Sequence, residues 1–405
     1  MSRWLNSKAR RFSGRDEKSG LFFRRATCLV SYWERGELVF ENFATGQRAS
    51  AAPVACLVLD FFHDWRTPES LCAHFADYDA GSLLGAVKIL VKQSFLEASP
   101  VRKVERSAIE ASWKDWNPAA GFLHFSSRDL TFDFDLDETA KYMQRLARDS
   151  AMPVPVKKYP GAKQVRLLAP KMDGEFPAAL IARRTWRRFA GTSLRLADLS
   201  TLLGLTFGIR EWMPVAPLGK FALKTSPSGG ALHPIEAYVV ARDVEGLAAG
   251  TYHYDADAHG LELLKCGATK AQANGFLAGQ YWFAEAPVVV LMTAVFTRTQ
   301  WKYKFPRAYR VVLAEAGHLC QTFCLTASWL GLAPFCTMAL ADSKVDRHLG
   351  IDGVTEGVLY AAGVGNIPEG GDWRTASLPE LPEVVGRSKG KGMSERRKRR
   401  AIRST

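Results

Sequence analysis

The chain lacks any apolar run of the about 18 residues a membrane helix requires; its longest candidate, Ala286–Phe296, has the length of a buried strand. The opening MSRWLNSKARRFSGRDEKSG carries cations but no apolar core, so it does not read as a secretion signal. The seven cysteines (Cys28, Cys56, Cys72, Cys266, Cys320, Cys324 and Cys336) form no CxxC pair and no zinc-ribbon spacing. They read as reduced, mostly buried thiols of a cytoplasmic protein. Cys320 and Cys324 stand one helical turn apart, but a pair is too few ligands for a metal, and no metal site is expected from it. Walker A and Rossmann phosphate-binding patterns are missing too. The Gly363–Arg374 stretch is rich in glycine, but Pro368 interrupts it and no helical pattern follows.

What is present is a chain of 405 residues, 47% hydrophobic and 11% aromatic, enough for one large or two unequal cores. Its formal charge of +13 would suggest a nucleic-acid partner were it spread over a folded surface. Residues 1–25 hold +6 of it and residues 387–405 hold +8, so the body between is nearly neutral. The two ends, the second including RRKRR at 396–400, read as solvated basic tails (1–25 and 381–405) and not as a specific nucleic-acid interface.

Between the tails the pattern divides. Residues 26–103 predict two short strands around Glu34-Arg35-Gly36, a turn at Thr45-Gly46, and a helix within Pro53–Trp65. A second helix start follows at Thr67-Pro68, then a helix over Ala80–Gln93 with Leu83, Leu84, Val87, Leu90 and Val91 on one face. A strand at Phe95–Ala98 closes a small winged-helix-like domain. Its last helix offers only Lys88 and Lys92 to a phosphate backbone, so docking of a peptide or protein, or structural support, fits better than DNA reading. Residues 104–175 form a connecting segment with one helix at Leu136–Arg148. Residues 176–380 mix strands (Glu236–Ala241, Thr251–Tyr254, Leu261–Leu264, Pro287–Ala294, Gly357–Ala362) with helices (Pro177–Arg184, Leu196–Gly204, Ala271–Ala278, Arg310–Leu330). They lack βαβ alternation, which makes the class α+β.

Three separated segments carry chemistry. Arg183 and Arg187, four apart in a predicted helical turn with Thr185 between, suit a phosphate dianion or are plain solvated surface. Ser226-Pro227-Ser228-Gly229-Gly230 breaks both helix and strand and precedes a buried run. Without side chains, Gly229 and Gly230 allow close approach of a flat or anionic group, and Ser228 and His233 add hydrogen-bonding groups. The third segment is the glycine-rich turn through Gly365, with Arg374 beyond it.

In this order the segments resemble the FMN-dependent nitroreductase superfamily, and within it the SagB-type peptide dehydrogenases, or azoline oxidases. The likeness rests on RRTWRRF at 183–189, SPSGGALHPIEAYVV at 226–240 and GTYHYDADAHGLELL at 250–264. WKYKFPRAYR at 301–310 and EAGHLCQTFCLTASWLGLAP at 315–334 extend it. It implies a nitroreductase-like FMN-binding fold with a mixed central sheet and surrounding helices, preceded by the winged-helix-like domain. It also implies that Arg183, Thr185, Arg187 and Arg374 hold the FMN phosphate. Pro227, Ser228, Gly229 and Gly230 would pass over the flavin ring from the other subunit of a homodimer, with His233 and Gly365 nearby. Thr185 stands where Ser is usual and keeps the hydroxyl.

The same resemblance makes Lys302 and Tyr303 the catalytic pair at the substrate side. Turning a thiazoline or oxazoline into the aromatic azole removes an α proton and a β hydride, so a base is needed beside the hydride acceptor. Tyr303 would be that base, with adjacent Lys302 favouring its phenolate. The implied activity is FMN-dependent oxidation of a precursor peptide delivered by a cyclodehydratase. A flavin-dependent reductase of dehydroamino acids or nitro compounds, or a peptide-binding protein with a degenerate flavin site, are the alternatives. On the long helix, Glu315, His318 and Gln321 are expected as polar positions lining a dimer contact or as substrate contacts.

Overall fold

The computed structural model describes residues 20–102, 107–132, 134–151 and 153–371. The described residues divide into two compact units: those from 20 to 128 together with 300–309, and those from 129 to 299 with 310–371. The segment expected as a connector is thereby shared between them, its first part belonging to the first unit.

In the first unit, β1 (Phe22–Arg25) pairs antiparallel with β5 (Leu96–Ser99). Strands β2 (Leu29–Glu34), β3 (Glu37–Asn42) and β4 (Gln47–Ser50) form a meander. Phe22–Arg25, assigned above to the N-terminal tail, are thus a strand: Phe23 is buried among Leu38, Phe40 and Phe62, and that apolar anchor outweighs the neighbouring cations. Strand β4, QRAS, has too little apolar character to signal a strand from the sequence.

Helices α1 (Val54–Phe61), α2 (Pro68–His74) and α3 (Ala80–Lys92) complete this core. Thr67 and Asp79 cap the second and third, their side chains accepting from the backbone N–H of Ser70 and Ser82. Then come α4 (Ala108–Trp113), opened by a Ser107/Glu110 capping box, and α5 (Ala119–Ser126). Trp113, His124 and Tyr309 cluster there, His124 Nδ1 lying 2.9 Å from the Tyr309 hydroxyl.

The second unit starts with α6 (Leu136–Asp149), α7 (Glu175–Ala182) and α8 (Leu196–Phe207). A two-stranded hairpin follows, β6 (Glu211–Val215) and β7 (Gly219–Leu223). The sheet strands are β8 (Ile235–Ala241), β9 (Gly250–Asp255), β10 (Gly260–Cys266), β11 (Val288–Val295), β12 (Leu332–Thr337) and β13 (Glu356–Asn366). Interspersed are α9 (Lys270–Phe276), α10 (Phe296–Lys302), α11 (Ala308–Trp329) and α12 (Asp342–Leu349).

The six-stranded sheet runs β10-β9-β8-β11-β13-β12. Every neighbouring pair is antiparallel, where a mixed sheet was expected. Strand β11 (VVVLMTAV) sits between β8 and β13 and is buried along nearly its whole length, as a two-sided apolar strand must be. Strand β12 lies at the edge, which is why Pro334 is tolerated within it and why it escaped the sequence pattern. The fold is α+β.

Candidate functional site

Segment 183–189 is not helical. Helix α7 stops at Ala182, and Arg183, with ψ of 119°, turns the chain outward. The expected one-turn helical spacing of Arg183 and Arg187 is therefore absent, the chain beyond Ala182 being irregular. Trp186 is buried beside Ala333, and its N–H donates to the Pro334 carbonyl at 2.9 Å. Arg183, Thr185 and Arg187 are all half-buried. The Arg187 guanidinium stands 5.8 Å over the Phe283 ring, and burial lowers its pKa from the ordinary value. Arg184 turns back, donating to the Ile181 and Arg183 carbonyls. Two guanidiniums and a hydroxyl in one short, half-buried segment are a donor set suited to a phosphate dianion, whose charge would offset the desolvation of Arg187.

The third segment behaves differently from its sequence appearance. Gly363 and Gly365 lie within β13, not in a turn. A Cβ at Gly363 would overlap Phe335 and approach the Val288 carbonyl to 2.8 Å; one at Gly365 would meet Phe189 at 2.9 Å and Pro287 at 2.8 Å. These glycines make room for aromatic rings packed on the sheet. The same strand holds segment 183–189 in place, since the Ala190 N–H donates to Asn366 and the Asn366 amide to Thr192 and Ser193. Arg374 lies outside the described residues.

The Ser226–His233 loop packs on α11. Ser226 Oγ is 2.7 Å from Thr322 Oγ1, and a Cβ at Gly229 would come within 2.5 Å of Val311 Cγ1. The missing side chain at Gly229 is thus explained by the helix, and Gly230 by its φ of +71°. Ala231 and His233 also adopt positive φ, at 57° and 42°. His233 is spent inside the loop: its N–H donates to Ser228 Oγ at 2.9 Å and its Nε2 meets the Ala222 carbonyl at 2.9 Å. Pro227 is exposed and Ser228 half-buried.

Beneath the loop lies a residue expected on the helix surface. Glu315 is 3% exposed, accepting from the Ser228 hydroxyl and the Gly229 N–H. Among the described residues its Oε1 has no hydrogen-bond partner, and it stands 3.7 Å from His233 Nδ1. Burial pushes its pKa up to about 7 despite those bonds and the charges of Lys224 and Arg298. Burial and Lys224 push His233 down to about 4. The pair is therefore poised as neutral acid and neutral imidazole, which nothing in an amphipathic reading of α11 could signal. Arg298 ties the loop to β8, donating to the His233 carbonyl and pairing with Glu236 at 2.5 Å.

Lys302 and Tyr303 belong to the first unit. Lys302 ends α10 and is exposed, its Nζ 5.4 Å over the Tyr303 ring centroid. The Tyr303 carbonyl accepts from Trp116 Nε1 at 2.9 Å, which fixes the backbone there.

Helix α11 thus touches the Ser226–His233 loop through Val311, Glu315 and Thr322. Through Cys324 it comes within electrostatic range of Arg183, whose charge is felt by that thiol. The chain matches the nitroreductase family over residues 180–366. It is 31% identical over 172 residues to MJ1384, a nitroreductase-family protein of Methanocaldococcus jannaschii, covering 42% of this chain and 82% of that one. The chain belongs to the nitroreductase family.

Two further relatives have peptide-processing names. The trifolitoxin-processing protein TfxB of Rhizobium leguminosarum bv. trifolii is 31% identical over 177 residues, 42% of this chain and 46% of that one. The microcin B17-processing protein McbC of Escherichia coli is 30% identical over 146 residues, 35% of this chain and 53% of that one. The chain spans about half the length of these two. Among the described residues no helix is long and apolar enough to cross a membrane.

Proposed function

We propose that this protein is an FMN-dependent dehydrogenase of ribosomal peptide maturation, oxidising thiazoline or oxazoline rings of a precursor peptide to thiazole or oxazole. The observation that carries the reading is the cationic segment 183–189 held by β12 and β13 in a family whose matched members include two peptide-processing proteins. Arg183, Thr185 and Arg187 would hold the FMN phosphate. Pro227, Ser228, Gly229 and Gly230 would border the ring, their loop fixed by Glu315 and Arg298. Bound FMN supplies a two-electron acceptor for the β hydride. Tyr303 takes the α proton, with the Lys302 ammonium 5.4 Å over its ring. Loss of proton and hydride leaves the ring double bond that makes the azole aromatic.

The substrate arrives from a cyclodehydratase partner, and the working form is a homodimer with FMN at the interface. The exposed apolar residues Phe176, Leu180 and Ile181 of α7 suit such a contact.

Purified protein should be yellow or become so with FMN, and with an azoline-bearing peptide it should produce azole and bleach anaerobically. Lys302→Ala and Tyr303→Phe should abolish oxidation while retaining flavin absorbance. Full turnover in both variants refutes the assignment of the base, and a colourless protein that cannot take up FMN refutes the enzyme itself.

A further inference from the structure

The pair of cysteines that the sequence leaves short of ligands gains a third from the fold. Cys320 and Cys324 lie one turn apart on the buried side of α11, at 3% and 4% exposure. Strand β12, opposite Ala362 of β13, brings Cys336 against them. All three Sγ atoms lie within 4.8 Å of one another. We propose that this cluster is a three-thiolate site for a soft, thiophilic metal ion, Cu(I) before Zn(II).

The donor set makes the choice of metal. Among the described residues no further His, Cys, Asp or Glu atom joins the group. Structural Zn(II) sites are closed by four ligands, whereas thiolate-only sets suit Cu(I), for which three sulfurs suffice. Two ligands come from one helical face and the third from a hydrogen-bonded strand, so the site is preformed and loses little entropy on loading. Cys336 is half-buried where its partners are buried, which leaves a side for the ion to enter.

Binding is an exchange without redox change: three S–H protons leave and three metal–sulfur bonds form. The inference does not depend on the FMN reading, because neither flavin nor peptide takes part.

The test uses the full chain, fully reduced and anaerobic, titrated with Cu(I) alone against a chromophoric Cu(I) chelator, and with Zn(II) alone in parallel. One equivalent of Cu(I) per chain should outcompete the chelator, and X-ray absorption should find three sulfurs around it. Cys336→Ser and Cys324→Ser should each weaken that equivalent at least tenfold, while Cys56→Ser and Cys266→Ser, at exposed positions, leave it unchanged. Two-sulfur coordination in the wild type, tighter Zn(II) than Cu(I), or undiminished Cu(I) in a folded Cys336→Ser variant overturns the proposal. Since the coordination number is read on wild-type protein, poor folding of a variant does not leave the question open.

Discussion

Glu315→Gln should turn a pH-dependent cost into a pH-independent one. The wild-type carboxyl moves from an ordinary 4.5 to about 7 because it is 3% exposed. Below pH 4.5 it is protonated in both the folded and the unfolded chain, and the stability it contributes is fully present. As pH rises, the unfolded chain releases the proton first, so stability falls until the folded state also ionises near pH 7. At about 1.4 kcal/mol per pH unit, the loss is on the order of 3 kcal/mol. His233 runs the other way: held at about 4 against 6.5, it costs stability as pH falls through that range. Above pH 6.5, where His233 is neutral in both the folded and the unfolded chain, it adds nothing to the pH dependence of either protein. Gln keeps an oxygen for Ser228 and Gly229 and has no proton to lose. Calorimetric melts of wild type and variant should nearly coincide at pH 5. By pH 8.5 the variant should melt higher by roughly 5–10 °C, the conversion expected for a unit of this size. A melting difference that stays flat from pH 5 to 8.5 would refute the buried neutral carboxyl.

Gly229→Ala should destabilise the second unit by about 1–3 kcal/mol in chemical denaturation, because its Cβ meets Val311. Adding Val311→Ala should restore most of the loss, and an absence of coupling would show that the helix does not set this glycine. Gly363→Ala should cost at least as much, since the Val288 carbonyl cannot move aside; a neutral effect in the same assay would contradict the packing described. For flavin, fluorescence titration of Arg187→Ala should show FMN affinity weakened about 10- to 100-fold, the range of one charge-assisted phosphate contact. Unchanged affinity would remove Arg187 from the phosphate site.

The class of the fold and most of its elements are legible in the sequence because apolar periodicity and capping are local. Thr67, Asp79 and Thr269 cap helices by bonds that span three residues. The run Val288–Val295 could only be a buried strand. Local signals also carried the three chemistry-bearing segments and the family.

What they could not carry is contact between distant residues. Arg183 and Arg187 are spaced for a helix, but α7 ends at Ala182 and Trp186 is buried against Ala333, so the segment is not helical. Gly365 looked like a turn glycine, yet it is there because Phe189 and Pro287 crowd β13. Glu315 was an ordinary polar position on a long helix until the loop at Ser228 and Gly229 closed over it. Cys320 and Cys324 amounted to a pair until β12 set Cys336 beside them. The sequence by itself determined which residues could hold charge, bend the chain or fill a core, since those are properties of each side chain and its near neighbours. Which glycine faces a ring, which carboxyl stays neutral and how many thiols meet were decided by tertiary packing, because each depends on what segments far apart in the chain bring to the same place.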